Sequence, residues 1–65
     1  MNSTELFDKL VENKYRIYKW EIDKTVDTLQ AIEILKRSGI IEETEREYFM
    51  PAKAINMHMI AKGGK

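Results

Sequence analysis

The chain has 65 residues, 11 Lys+Arg against 11 Asp+Glu, a formal net charge of zero and no cysteine. There is room for one small domain, and neither a disulfide framework nor a cysteine-based zinc site can be built. Nothing approaches the roughly 20 apolar residues of a membrane span, and a hydrophobic content of 43% is not that of a disordered chain.

The charge is balanced in sum but not along the chain. Residues 1–41 hold seven basic and seven acidic side chains, residues 42–51 carry a net charge of −3, and residues 52–65 carry +3. A dominant basic field of the kind that drives binding to a phosphate backbone is missing. Met1–Leu6 is polar rather than basic and then apolar, so no secretory signal is expected and the expected location is cytoplasmic.

Residues 3–37 contain neither Gly nor Pro. At 100° per residue, Phe7, Val11, Tyr15, Tyr18, Ile22, Val26, Leu29 and Ile32 fall within about 60° of one line. The sequence therefore predicts a mainly α protein built on one long amphipathic helix, about 3–37, with room for a kink near 24–28. Asn2 and Glu5 fit a capping box, with Met1 and Leu6 as its hydrophobic staple. Ser38-Gly39-Ile40 fits a Schellman stop, with Gly39 left-handed and Ile40 folded back on Leu35. Glu5–Lys9, Glu12–Arg16 and Glu33–Arg37 add pairs four residues apart. A second, weaker apolar edge contains Leu6, Leu10, Ile17 and Leu35, with Ala31 and Trp20 further round. The alternative is an α+β chain with a strand at 15–22, where strand formers concentrate, and a helix at 28–37.

The rest of the chain reads as an acidic and aromatic linker, 40–50, and a short packing segment, 51–62. That segment is either a helix after Pro51, with Ala52, Ile55 and Met59 at helical spacing, or a strand in which Ile55, Met57 and Met59 alternate with polar neighbours. Helix is preferred because Ala and Lys are frequent and β-branched residues few. Residues 63–65 are expected to fray.

A helix of 35 residues is roughly 52 Å long, whereas a compact chain of this size is about 28 Å across. The remaining residues could not cover its apolar stripe. Self-association through Phe7, Val11, Tyr15, Tyr18, Ile22, Val26 and Leu29 is the expected cover, as a coiled-coil-like helix pair in a homodimer or larger assembly. Trp20, Ile17, Tyr48 and Phe49 are the candidate contacts for a different protein partner, with Trp20 leading because Trp is enriched at binding hot spots.

Catalytic parts are scarce. His58 is the single histidine, the serines Ser3 and Ser38 sit at expected helix ends, and no Gly-rich phosphate loop or H-E-x-x-H pattern occurs. Met57-His58-Met59 offers soft ligands suited to copper, but adjacent residues rarely converge on one ion, and Met is a common gap-filler in small cores. No cofactor and no metal are expected. The reading is a small non-enzymatic protein that binds other proteins, an adaptor or inhibitor of the size of a phage-type accessory protein. The alternative is a dimeric nucleic-acid-binding transcriptional regulator. The order helix, Gly-Ile-Ile, polar turn, Tyr-Phe-Met-Pro resembles one edge of a winged helix, with Ile40-Ile41 entering a hairpin. Two more short helices are needed ahead of it, and the chain supplies them only if residues 3–37 break twice.

Overall fold

Helix α1 spans Ser3–Glu12. Its start is the expected capping box: Asn2 Oδ1 accepts from the Glu5 N–H at 2.8 Å, and Glu5 Oε1 accepts from the Asn2 N–H at 2.9 Å. The structure, a computed structural model that describes residues 1–63, ends this helix after three turns. The Tyr15 N–H donates to Leu10 O at 2.6 Å and the Lys14 N–H to Val11 O at 3.4 Å. This is the bonding of a Schellman stop, made without glycine. Lys14 and Tyr15 take positive φ, 63° and 73°, a conformation that costs an L-residue roughly 1–2 kcal/mol.

Strand β1 follows at Arg16–Tyr18, and Lys19–Glu21 forms a single 3₁₀ turn. Helix α2 spans Val26–Arg37 and is capped by Thr25, whose hydroxyl accepts from the Thr28 N–H at 3.2 Å. Its end is the expected one. Gly39 has φ 77°, the Ile40 N–H donates to Leu35 O at 3.0 Å, and the Gly39 N–H donates to Lys36 O at 3.1 Å. The chain then makes a hairpin of β2, Glu42–Glu43, and β3, Glu47–Phe49. Thr44 shapes its turn: the Thr44 N–H donates to Glu47 O at 2.8 Å, and Thr44 Oγ1 accepts from the Glu47 N–H at 3.1 Å. Helix α3 spans Ala52–Gly63, and the Pro51 carbonyl accepts its first bond, from the Ile55 N–H at 3.0 Å.

The three strands form one antiparallel sheet in the order β1-β3-β2. Ile17 stands opposite Tyr48, and Glu43 opposite Tyr48 on the other side. Two further bonds extend the central pairing at its ends, Met50 N–H to Tyr15 O and Lys19 N–H to Arg46 O, both 2.9 Å. Helices α1 and α2 pack on each other over the core. That core comprises Leu6, Leu10, Ile17, Ile22, Ala31, Ile32, Leu35, Ile41, Met50 and Ala54.

The single long helix is therefore incorrect: its span holds α1, β1, the 3₁₀ turn and α2, and the described residues form three α-helices and a three-stranded sheet. The strand weighed at 15–22 is extended only over Arg16–Tyr18, and α2 begins two residues ahead of 28. The 51–62 segment is a helix, Ala52–Gly63; Gly64 and Lys65 of the expected frayed tail lie outside the described residues. The weaker apolar edge supplies the core, since Leu6, Leu10, Ile17, Ala31 and Leu35 are all buried. The stripe is dispersed: Ile22 is buried, Phe7, Val11 and Tyr15 half-buried, and Tyr18, Val26 and Leu29 exposed. The physical reason is that the reversal at Asn13–Tyr15 folds α1 back onto α2, so the two helices no longer share one azimuth. The geometric need for a partner goes with the rod. The radius of gyration is 11.4 Å, close to the about 11 Å of a compact monomer of this length.

Candidate functional site

Two polar clusters tie the elements together, one between the sheet and α2, the other between the N-terminus and the start of α2. Glu43 on β2 receives Lys19 Nζ at 2.6 Å and Lys36 Nζ at 2.7 Å. These ammonium groups lower the Glu43 carboxyl to about 2, and Glu43 in turn raises Lys36. Lys19 Nζ also lies 5.4 Å from the Tyr48 ring centroid. On the far side of α2, Asp23 accepts from the hydroxyls of Thr25 and Thr28, each at 2.9 Å, and these bonds hold its carboxyl below the usual range. Thr28 is fully buried, and its hydroxyl also accepts from the Met1 N–H at 2.8 Å. Both clusters consist of groups whose partners are in place, as structural ion pairs and caps require.

The surface is where the chain departs from an ordinary small domain. Helix α3 is apolar around much of its circumference, yet Ala54 is its one buried residue, and Met57, Met59 and Ile60 are exposed. A helix apolar on all sides is normally covered on all sides. Beside it lies a groove of about 350 Å³, lined chiefly by Phe7 of α1, Gly39 and Ile40 beyond α2, Met50, and Ala54, Met57 and Ala61 of α3. A shallower depression of about 310 Å³ continues past Phe7 and Ile40 toward Ser3 and Thr4. His58 meets Phe7 edge-on inside the groove, with ring centroids 5.2 Å apart at 73°. Tyr15 Oη donates to Met59 Sδ at 3.7 Å, which ties α3 to the corner after α1.

Local sequence accounts for this site in part. Pro51 aims α3 away from the hairpin, and Gly39 permits the tight corner that carries Ile40. The bonds at this corner occupy the Ile34, Leu35 and Lys36 carbonyls at the end of α2. No acidic residue lines the groove, whereas Lys53 does, and Lys62 follows Ala61 on the same helix.

The residues singled out from sequence fall elsewhere. Ile17 is in the core and meets no solvent. Tyr48 and Phe49 are half-buried on β3. Trp20 is 73% exposed and stacks on Tyr18, with centroids 4.4 Å apart and planes 4° from parallel; neither ring lines the groove. Val26, Leu29 and Ile34 are exposed on α2, but Gln30, Glu33 and Arg37 lie between them on the helical wheel, so they form no continuous patch. Met57 and His58 line the groove and Met59 does not, and no group of three or more His, Cys, Asp or Glu stands together among the described residues. Sequence reading missed the groove itself. The signal for it in the sequence is the lack of a continuous polar face on 52–61. No helix among the described residues is long and apolar enough to cross a membrane.

Comparison with protein-family models, with curated proteins and with solved structures returns no match. The class that fold and surface define is thus a small three-helix α+β domain with an open apolar groove, and the functional reading rests on its own residues.

Proposed function

We propose that this chain is a small protein-binding module that acts as an adaptor or inhibitor, by occupying a partner's surface rather than by catalysis. The observation that carries the reading is the apolar groove between α1 and α3, flanked by the exposed Met57 and Ile60. In a folded domain, apolar surface that is both concave and continuous marks an interaction site more often than scattered exposed residues do. Self-association belongs to the same proposal in altered form. A second copy is the other occupant the groove admits, since the long stripe that would pair two rods does not exist. The test is affinity purification from the native cells with the wild type, Met57→Glu and Trp20→Ala in parallel. Support is a stoichiometric partner, or a second copy, kept by wild type and Trp20→Ala and lost with Met57→Glu. Identical retained sets for all three remove the reading.

A nucleic-acid-binding regulator is the second reading, favoured by one observation. Residues 3–37 do break twice, and α2 leads through Gly39 into an antiparallel hairpin in the strand order β1-β3-β2. Charge opposes it. Helix α2 carries Asp27 and Glu33 against Lys36 and Arg37, and the hairpin carries Glu42, Glu43, Glu45 and Glu47 against Arg46, so neither offers the excess of cations that phosphate contacts need. A gel shift with mixed-sequence DNA at low salt decides between them: retardation at micromolar protein favours the regulator.

A further inference from the structure

We infer that the α1–α3 groove takes an acidic amphipathic helix of a partner protein, apolar side against Phe7, Ile40, Met50 and Met57, carboxylates toward Lys53. The inference rests on the protein-binding reading and names the chemistry of the partner.

Charge complementarity selects this occupant. Residues 52–65 carry three lysines and no acid, and α3 forms one wall of the groove. Lys53 is on that wall and is exposed. Neither Lys53 nor Lys62 is in an ion pair within the chain, among the described residues. By contrast, Lys19, Lys36, Arg16 and Arg37 each have a carboxylate within 4 Å. Lys9, Lys14, Lys24 and Arg46 likewise have no ion pair among the described residues, and of these cations Lys53 is the one that lines the groove. A second copy of α3 would bring its own lysines against Lys53, which like-charge repulsion disfavours. A basic partner segment is disfavoured for the same reason.

Shape favours a helix. The two depressions adjoin at Phe7 and Ile40, which line both, as two compartments of an elongated trough from α3 toward Ser3 on α1. An amphipathic helix fills such a trough with side chains at i, i+3 or i+4, and i+7, while its backbone stays internally bonded. The exposed Met57 and Ile60 extend the apolar lip beyond the trough, and Met adapts to irregular partners. An extended peptide would want a free sheet edge to bond, and no strand borders this groove.

The experiment uses the full chain and two fluorescein-labelled helical peptides read by fluorescence anisotropy. Both carry leucines at i, i+4 and i+7; one has glutamates flanking that face and the other lysines. The glutamate peptide is expected to bind about tenfold tighter at low salt, with the margin shrinking as salt rises. Lys53→Glu is expected to reverse the order of the two peptides. Ala61→Trp, which plugs the groove from its exposed side, is expected to abolish binding of both with an unchanged melting curve. Should Ala61→Trp fail to fold, Met57→Glu serves in its place because Met57 is already 63% exposed. Equal affinity for the two peptides, an order indifferent to Lys53→Glu, or no binding of either overturns the inference. A dimer in light scattering that Ala61→Trp disperses also overturns it, assigning the groove to a second copy, and leaves the protein-binding reading standing. A cellular partner lost with Met57→Glu but unaffected by Lys53→Glu has the same two consequences.

Discussion

The N–H of Tyr15 donates to the carbonyl oxygen of Leu10 at 2.6 Å, and the wrap it closes holds the intervening Lys14 at φ 63°. Lys14 is exposed, so its side chain contributes little while its backbone bears the cost of the left-handed conformation. Lys14→Gly removes that cost and is expected to stabilise the fold by about 1 kcal/mol. In a domain of this size such a gain raises Tm by roughly 4–8 °C. Thermal unfolding by circular dichroism checks it. Lys14→Val should move Tm the other way, because β-branching worsens the left-handed region; a gain from both variants contradicts the turn.

Leu10 is completely buried and Leu29 half-exposed, which reverses their importance relative to the apolar stripe. Leu10→Ala is expected to cost about 2–5 kcal/mol by loss of transfer energy and creation of a cavity, enough to unfold much of so small a domain. Leu29→Ala is expected to change stability by no more than about 0.5 kcal/mol. Urea titrations of both variants separate the two; equal losses return the stripe to the core.

Glu43 holds its carboxylate between Lys19 and Lys36, which lower it from 4.5 to about 2. A depressed carboxylate contributes stability that is complete above its unfolded pKa and disappears as pH falls through the folded value. The Glu43 share of stability is therefore present above pH about 4.5 and lost on the way down to about 2. Asp23, also lowered, acts in the same direction. Because Glu43 is partly exposed and screened, Glu43→Gln should cost about 1 kcal/mol or less near neutral pH. Wild type and variant should converge in denaturant midpoint by pH about 2. A difference that persists undiminished at that pH contradicts the ion-pair origin.

Trp20 covers Tyr18 in a parallel stack on the surface, and neither ring touches the groove. Trp20→Ala is expected to leave the fold intact and cost no more than about 1 kcal/mol, the worth of an aromatic pair. It should leave the affinity of the groove unchanged. Partner binding weakened by about 2 kcal/mol or more, the mark of a hot spot, would relocate the docking surface to the Tyr18–Trp20 stack.

What the residues determine by themselves lies within a few positions of where it acts. Asn2 and Glu5 fold a capping box, Gly39 takes the left-handed place at the end of α2, and Pro51 opens α3, because each satisfies neighbouring backbone groups without reference to the rest of the chain. The tertiary structure decided where the first helix stops and therefore which apolar edge is buried. Nothing between Glu12 and Arg16 obliges a break; Lys14 and Tyr15 enter an unfavourable conformation there. Contacts far along the chain compensate: Ile17 sealed in the core, β1 paired with β3 some thirty residues on, and Tyr15 O bonded to Met50 N–H. A periodicity read along one helix cannot register partners that distant, so Leu6, Leu10 and Leu35 ranked second in the sequence and form the interior of the protein.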